Sequence, residues 1–364
     1  MNIKPMHLEF SKPTHGLMFI GDPHIWSHRP GRRRDESYLD TIINKMFAAA
    51  RISNETGTWP LILGDLFDKA RDHEPSMLIA LTEALQAFER KPMTLVGNHD
   101  KHEKRLTNKN ALRLLEVTQQ LYVLDEPGLW ATLDLTLENQ KQRVLIGGTP
   151  YGAPLSNTLA SMAKIEGTST EDIRKANQVE HVVWLTHDDL AFEGAYPNAQ
   201  ALIEIEGIDI LVNGHMHATK KPVKMGQTAY YNPGNISRMS VDMADHIPRV
   251  WTWTPFNNPG MPSAQGLMIP QIKGHELPHK PGVEIFDFEG RHAQPAMILP
   301  TQSEELSAFV QLIKNEKSTE RTDEAILIQN SLAQVWESQK TPKHVQILIT
   351  KLLSQAIEKH HLKK

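Results

Sequence analysis

The sequence predicts an α/β fold, because short apolar runs alternate with segments of helical periodicity. Residues 36–52 and 76–90 place apolar side chains three and four positions apart, the spacing of a helix with one buried face. The apolar runs are rich in Leu, Ile, Val and Met, a composition typical of strands buried on both faces. Since strands that alternate with helices build sheets covered by those helices, we expect one extensive sheet or a two-sheet sandwich. The runs open the segments 17–24, 60–68, 93–100, 182–189 and 209–217.

Three further apolar segments predict strands in the same region, and the composition changes after it. These strands are expected at residues 142–149, 228–233 and 248–254. From residue 257 the chain is rich in Pro and Gly, which favours a linker, with one more strand at 283–288. Helical periodicity returns after residue 300, with helices expected at 303–315, 321–339 and 343–359. We therefore divide the chain into a main domain at 1–255, a linker at 256–300 and a helical region at 301–364.

The composition is that of an ordinary soluble globular protein and excludes several kinds of site. Of the 364 residues, 40% are apolar and 23% are charged, and no apolar run reaches the length of about 18 residues that a membrane-spanning helix requires. The N-terminus has no long apolar centre of the secretory type, so we expect a cytoplasmic protein with no membrane partner. The absence of cysteine excludes disulfides, thiolate zinc sites and cysteine nucleophiles. The net charge of −4 does not by itself indicate a polyanionic partner, although a local basic patch can bind one.

Five of the predicted strands each end in a cluster of polar residues. In α/β sheets the ligand site lies beyond the carboxyl ends of the strands, so we expect these side chains to meet. A single pair such as Asp22 and His24 is also ordinary turn chemistry, but the joint occurrence of all five clusters favours a site. Carboxylate, carboxamide and imidazole groups without sulfur suit manganese, iron or zinc, and paired metals of this kind hydrolyse phosphoesters. The clustered residues are Asp22, His24, Asp65, Asp68, Asn98, His99, Asp100, His187, His215 and His217.

These clusters resemble the signature of calcineurin-like metallophosphoesterases. The match consists of D-x-H at 22–24, G-D-x-x-D at 64–68, G-N-H-D at 97–100, the strand-end His187 and G-H-x-H at 214–217. The segment at 230–238, which contains Asn-Pro-Gly, is similar to one that many members carry after the last histidine pair. The resemblance implies a two-sheet β-sandwich flanked by helices, followed by a short cap or linker and C-terminal helices.

The resemblance implies a role for each of the clustered residues. Asp65 would bridge two divalent metal ions, for which manganese is the first choice and magnesium, iron and zinc are alternatives. His99 would protonate the leaving oxygen or stabilise the transition state, and Asp100 would orient the His99 ring. Asp68 would either support the site or take part directly in catalysis. The remaining ligands are Asp22, His24 and His217 for one metal, and Asn98, His187 and His215 for the other.

Within this superfamily the chain is most similar to the SbcD-type DNA repair and recombination nucleases. The similarity lies in residues 64–85 and 91–100, and in a basic loop and helix that follow the first motif. We therefore predict an exo- or endonuclease. One alternative is a phosphoesterase that acts on nucleotides or terminal phosphates. A second alternative is a non-catalytic scaffold, but the presence of every predicted ligand argues against it. The alternative for the basic loop is that it is simply solvated. The arginines predicted to contact DNA phosphates are Arg29, Arg32, Arg33 and Arg34 of this loop, and Arg238.

The C-terminal region predicts a partner. In SbcD-type proteins, C-terminal helices grip the coiled coil of an SMC-like ATPase of the SbcC type. Here residues 321–339 and 343–359 carry apolar stripes at helical spacing, which fit such a groove, although stripes of this kind more often pack onto their own domain. A homodimer is a further alternative. Residues 255–300 are shorter and poorer in strands than a full capping domain, which puts cap-dependent handling of DNA in doubt.

Overall fold

The computed structural model describes residues 4–71, 73–103 and 105–288, and within them two β-sheets pack face to face. Helices flank the sheets, so the predicted α/β sandwich is confirmed. The helices predicted between 301 and 364, and with them the surface for an ATPase partner, lie outside the described residues. None of the helices in the described ranges is both long and apolar enough to cross a membrane.

The described residues form fifteen strands and six α-helices. The strands are β1 Met6–Leu8, β2 Gly16–Ile20, β3 Thr58–Ile62, β4 Met93–Leu95, β5 Tyr122–Leu124, β6 Gly128–Leu137, β7 Gln140–Thr149, β8 His181–Thr186, β9 Ile210–Asn213, β10 Lys220–Met225, β11 Thr228–Asn232, β12 Arg249–Trp253, β13 Met261–Pro262, β14 Met268–Ile269 and β15 Lys273–Glu276. The helices are α1 Tyr38–Thr56, α2 Pro75–Gln86, α3 Ala111–Val117, α4 Leu159–Met162, α5 Thr170–Asn177 and α6 Gly282–Ile285.

Each large sheet has a parallel centre. The seven-stranded sheet has the order β1-β6-β7-β8-β9-β11-β10, and its strands β7, β8, β9 and β11 are parallel. The six-stranded sheet has the order β15-β12-β2-β3-β4-β5, and its strands β2 to β5 are parallel. Strands β13 and β14 form a separate hairpin. Because parallel strands end together, the loops after β2, β3 and β4 meet at one edge, as do the loops after β8 and β9.

Alternation along strand β2 shows where the core lies. Leu17 and Phe19 belong to the buried cluster between the sheets, which also contains Val183 of the opposite sheet. Met18 and Ile20 belong to the cluster beneath helices α1 and α2. Successive side chains of a strand point to opposite faces, so an uninterrupted apolar run serves two layers of the core.

Helix α1 occupies the segment in which helical periodicity predicts it. It begins after Ser37, whose side chain accepts a hydrogen bond from the backbone N–H of Asp40. It ends at Gly57, which has a φ of 63° and lies in the left-handed region. Serine at the N-cap and glycine just past the last turn are favoured at these positions. The helix therefore extends beyond the predicted end at residue 52, up to its glycine stop signal.

The prediction of a strand at 283–288 is wrong. Pro281 and Gly282 start the short helix α6 there, and within the described residues Phe286 pairs only through a single bridge to Arg33. Periodicity alone does not distinguish a short apolar strand from a buried helical turn. The linker instead contributes β15, which pairs with β12 and extends the six-stranded sheet.

Candidate metal centre

The seven predicted metal ligands lie in one connected cluster at the carboxyl edges of the two sheets. Asp65 and His24 connect its parts, because each belongs to two groups of neighbouring ligand atoms. Within each group these atoms lie within 4.8 Å of one another: Asp22, His24 and His217; His24, Asp65 and His99; and Asp65, His187 and His215. Asn98 joins the last group through contacts with both of its histidines.

Glycines just before two of the ligands let the loops approach this closely. Gly97 precedes Asn98, and a Cβ at Gly97 would lie 2.0 Å from Asp65 Oδ1. Gly64 precedes Asp65 and has a φ of 99°, and a Cβ there would lie 2.4 Å from His187 Nδ1. Only glycine fits such close approaches. The Gly-Asp and Gly-Asn pairs of the motifs are therefore explained by the packing of one ligand loop against another.

Four of the predicted ligands adopt a left-handed backbone conformation, which non-glycine residues rarely do. The φ angle is 27° at Asp22, 45° at His24, 46° at Asp65 and 66° at His215. Each such conformation costs on the order of 1 kcal/mol or more and persists only where the surrounding structure enforces it. The strained positions coincide with the side chains that meet in the cluster, which is typical of a functional site.

One half of the cluster brings together Asp22, His24 and His217. The Nε2 atoms of His24 and His217 lie 3.0 Å apart, and His217 Nε2 lies 3.9 Å from Asp22 Oδ2. His24 Nε2 lies 3.8 Å from Asp65 Oδ2, which connects this half to the other. The second ring nitrogen of His24, Nδ1, lies 3.6 Å from Asp68 Oδ1.

The other half consists of Asp65, Asn98, His187 and His215. His187 Nε2 lies 3.2 Å from Asp65 Oδ2 and 3.2 Å from Asn98 Oδ1. His215 Nδ1 lies 3.0 Å from the same Asn98 oxygen. His187 Nδ1 donates to the Leu63 carbonyl oxygen at 2.6 Å, so its Nε2 is the nitrogen that faces the cluster.

The donor set fits a pair of divalent cations. Both carboxylate oxygens of Asp22 are buried, and neither has a hydrogen-bond partner among the described residues. A buried carboxylate without such partners is unfavourable unless a cation lies beside it. In the same half, a cation would satisfy the two imidazole nitrogens of His24 and His217 that face each other. Oxygen and nitrogen donors without sulfur suit manganese, iron or zinc.

The electrostatics of the cluster support the same assignment. Burial raises the pKa of Asp22 to about 7, lowers the pKa of His217 to about 4 and lowers that of His24 well below its usual value. These two imidazoles are therefore neutral at neutral pH, as metal ligands must be. Burial opposes charge on Asp65 and His187 as well, but their attraction outweighs it, which lowers the pKa of Asp65 and raises the pKa of His187 to about 10. A cation bound between them would replace the His187 proton.

His99 borders the cluster and reaches solvent. Its side chain is 41% exposed, and its backbone N–H donates to Asp65 Oδ1 at 2.8 Å. Its ring nitrogen Nδ1 lies 2.7 Å from the backbone carbonyl oxygen of Asp68 and 3.9 Å from Asp68 Oδ1. Because a carbonyl oxygen only accepts, we assign the proton to Nδ1. Nε2 is then the ring nitrogen that can exchange a proton with a substrate.

The contacts of Asp100 correct the role predicted for it. Its buried carboxylate accepts hydrogen bonds from the backbone N–H of Phe67 at 3.1 Å and of Gly97 at 2.9 Å. Asp100 therefore joins the loop after β3 to the loop after β4. The His99 ring is oriented by Asp68 instead, because the Asp68 carbonyl is the acceptor that lies next to its Nδ1.

Two of the arginines predicted to contact DNA have a structural role. Arg33 is buried and donates to the Asp35 carboxylate at 2.5 and 2.8 Å and to the Arg238 carbonyl at 2.6 Å. Arg238 is also buried, and it donates to the carbonyls of Ala244 and Lys280 at 3.1 and 2.6 Å. This corrects the prediction for both arginines, because the protein encloses their guanidinium groups and keeps them from a DNA phosphate.

The other three predicted arginines lie at the surface. Arg29 and Arg32 are exposed on the loop that follows β2, and Arg29 donates to the carbonyl of Asp35 at 3.2 Å. Arg34 is exposed as well, but it donates to the Asp287 carboxylate at 2.9 Å. Fewer arginines of the basic loop are therefore available to a DNA phosphate than the sequence predicts.

Two buried asparagines outside the ligand motifs hold the loop after β9, which carries two of the histidines. Asn232 donates to the carbonyls of Met216 and Ala218 at 2.7 and 2.9 Å. Asn213 donates to Oδ1 of Asn232 at 3.0 Å. The Asn-Pro-Gly segment at 230–238 is the sequence signal that points to Asn232, whereas Asn213 ends a strand and belongs to no motif.

Solved structures with a similar chain trace are distant in sequence. A 5'-nucleotidase precursor from Thermus thermophilus is 14% identical with a TM-score of 0.39, and the alignment covers 83% of this chain and 59% of that one. The calcineurin-like phosphoesterase YfkN from Bacillus subtilis is 13% identical with a TM-score of 0.39, at 73% and 91% coverage. A hypothetical protein from Thermus thermophilus is 10% identical with a TM-score of 0.36, at 72% and 99% coverage. The chain thus spans less than two thirds of the first of these structures.

A family model covers the region that carries the cluster. A comparison with curated proteins finds no match. Residues 16–219 match the model described as calcineurin-like phosphoesterase, and this range is more than half of the chain. All seven predicted ligands and His99 lie within it. The chain therefore belongs to the calcineurin-like phosphoesterase family.

Proposed function

We propose that the protein is a metal-dependent phosphodiesterase that cleaves DNA. Membership of the calcineurin-like phosphoesterase family implies hydrolysis of phosphoesters with the help of bound metal. The observation that carries the proposal is the continuous ligand cluster, in which Asp65 and His24 connect neighbouring groups and His99 borders solvent. DNA as the substrate goes beyond the family, and the surface around the cluster supports it.

Two divalent cations, which we propose to be manganese, would activate a water molecule and neutralise the phosphoryl oxygens when bound. The protein's own contribution is to hold the donors in position. The Leu63 carbonyl fixes the ring of His187, and the Asp68 carboxylate lies beside the ring of His24. Asp65 would hold both cations, Asp22, His24 and His217 one of them, and Asn98, His187 and His215 the other.

His99 would act on the leaving group. The Asp68 carbonyl holds the Nδ1 side of its ring, which leaves Nε2 for the substrate. A protonated ring can transfer the Nε2 proton to the departing oxygen, and general acids of this kind contribute about 100- to 10,000-fold to the rate. The 41% exposure of the side chain allows a phosphate within a long polymer to reach it.

The basic loop after β2 supports DNA as the substrate. Arg29 and Arg32 are exposed on the loop that continues from His24, so this loop carries positive charge away from one half of the cluster. Arginine side chains bind backbone phosphates without regard to base sequence, and they release counterions as they do so. The overall net charge of −4 makes such a local patch the feature that would attract DNA.

Cleavage of end-labelled DNA tests the proposal. With Mn²⁺, the wild-type protein should cleave single-stranded or double-stranded DNA, and His99→Ala should lose at least about 100-fold in rate. Metal content measured in the same samples should be unchanged, which separates loss of the general acid from loss of the cations. Intact DNA strands together with efficient hydrolysis of a nucleotide would instead assign the protein to the nucleotide-directed phosphoesterases.

A further inference from the structure

Tyr151 is an exposed aromatic residue at the border of the ligand cluster. It follows strand β7, at the carboxyl edge of the seven-stranded sheet and next to β8. Its ring centroid lies 5.4 Å from that of His215 and 6.3 Å from that of His187. Nevertheless 38% of the residue is open to solvent. An aromatic ring placed beside a reactive centre and open to solvent is well suited to contact a ligand.

The backbone of Tyr151 is held from two sides. Its N–H donates to the Val96 carbonyl at 3.2 Å, and its own carbonyl accepts from Lys101 Nζ at 3.3 Å. Val96 and Lys101 flank the motif at 97–100, so these bonds fix Tyr151 relative to the loop that carries a ligand and the general acid. Gly152 follows with a φ of 89°, and a Cβ there would meet only open space. The ring thus stands on a fixed backbone next to an open surface.

The ring of Tyr151 does not belong to the apolar core. Tyr151 is absent from the three buried apolar clusters found in the described residues. We propose that the ring of Tyr151 stacks on the nucleobase next to the phosphate that is cleaved, an inference that rests on the proposed DNA-cleaving function. The residue would then be a substrate-positioning residue for nucleic acid strands.

The position of Tyr151 complements that of the basic loop. The ring lies beside His187 and His215, in one half of the cluster, whereas the loop with Arg29 and Arg32 leaves the other half after His24. A strand that passes Tyr151, crosses the cluster and continues along this loop would meet an aromatic face first and positive charge afterwards. Stacking on an aromatic side chain together with charge along the backbone is the general mode of single-strand binding, and it tolerates any base.

The pattern of cleavage along one oligonucleotide tests the inference. The substrate is an end-labelled oligothymidylate in which one internal residue is abasic, and the protein is used with Mn²⁺. Wild type should cleave one linkage near the abasic residue about 10- to 100-fold more slowly than the others, the rate equivalent of removing one stacked base. We call this slowly cleaved linkage the gap. Tyr151→Ala should cleave all linkages slowly and show no gap. Tyr151→Phe should keep the wild-type pattern, because the ring rather than the hydroxyl stacks on the base.

A matched control separates this role from a general loss of aromatic surface. Phe47 is a suitable control because it is 39% exposed, nearly the same as Tyr151, but lies on helix α1. Phe47→Ala should therefore keep the wild-type cleavage pattern. The inference is overturned if Tyr151→Ala retains the gap, if wild type shows none, or if Tyr151→Phe behaves like the alanine variant. Loss of bound metal from Tyr151→Ala would also overturn it, by showing that the ring supports the ligands. If wild type cleaves no oligonucleotide at all, the DNA-cleaving function falls and this inference with it.

Discussion

The ring of His99 and the backbone of Asp68 are joined by a hydrogen bond of 2.7 Å, from Nδ1 to the carbonyl oxygen. The carboxylate of the same Asp68 lies 3.6 Å from Nδ1 of His24 and 3.9 Å from Nδ1 of His99. One residue therefore contacts the rings of both a proposed ligand and the proposed general acid. Its side chain and its backbone have separate tasks, and substitutions can distinguish them.

Removing the charge of Asp68 should impair the centre without disturbing the orientation of His99. Asp68→Asn keeps the backbone carbonyl that holds His99 but loses the carboxylate beside His24. Loss of a partner that orients a metal ligand typically costs about 10- to 100-fold in metal affinity or activity. We therefore expect a loss of this size in kcat/KM for DNA cleavage, smaller than the loss in His99→Ala. Wild-type activity in Asp68→Asn would show that the carboxylate is not needed.

Substitution of Asp100 should affect stability before it affects chemistry. The carboxylate accepts from two backbone N–H groups, of Phe67 and Gly97, and in Asp100→Ala both lose their acceptor. Each buried donor left unsatisfied costs about 1–3 kcal/mol, so urea unfolding in chelator should show a loss of roughly 2–6 kcal/mol. A variant that unfolds like wild type yet loses its activity would return Asp100 to the orienting role predicted from the resemblance.

The stability of the metal-free protein should depend on pH through Asp22. Burial raises the pKa of Asp22 from 3.8 to about 7, so the folded state holds a proton that the unfolded chain has released. The contribution of Asp22 to the free energy of unfolding therefore falls as the pH rises from about 4 to about 7. Asp22→Asn removes this effect. In chelator, the variant should be more stable than wild type at pH 7.5, and the difference should shrink toward pH 4.

Adding metal should reduce the stability advantage of Asp22→Asn over wild type. Mn²⁺ stabilises a folded state that binds it, and by about 2.7 kcal/mol when present at 100 times its Kd. Wild type should gain this stabilisation at pH 7.5, and Asp22→Asn, which lacks a charged ligand, should gain less. A variant no more stable than wild type in chelator would show that the Asp22 carboxylate is not destabilised by its burial.

Charge reversal in the basic loop should weaken DNA binding in a salt-dependent way. Arg32 is exposed, and Arg32→Glu should lower the affinity for DNA at low salt. It should also reduce the slope of log Kd against log salt concentration by about 1 for each phosphate that the loop no longer neutralises. The matched control is Arg51→Glu, the same change at an exposed position of helix α1. Equal affinities for both variants, measured by fluorescence anisotropy at several salt concentrations, would show that the loop is ordinary surface.

The clustering of the candidate ligands could be predicted from the sequence, because each of these residues combines a restrictive chemistry with a simple local signal. Asp22, Asp65 and His187 follow runs of buried apolar residues, and parallel strands bring such positions to one edge. The prediction of a strand at 283–288 was wrong because this segment lacks such a signal. Its apolar residues fit either a strand or a helical turn, and the structure has a helical turn that begins at Pro281 and Gly282.

The roles of charged residues were harder to predict, because charge alone does not identify the partner. Arg33 lies in a run of three arginines, but Asp35 two positions later captures its guanidinium group inside the protein. Likewise Asp68 and Asp100 are both acidic residues of the motifs. Their roles depend on where the loops place backbone donors and acceptors, which the identity of a side chain does not reveal.

Anomalous diffraction at the manganese edge, from crystals of the wild-type protein grown with Mn²⁺, would locate the proposed cations. We expect two strong peaks, one bordered by Asp22, His24 and His217, and the other by Asn98, His187 and His215. Asp65 should contact both. A single peak, or peaks that leave Asp22 and His217 without a metal, would contradict the two-metal centre proposed here.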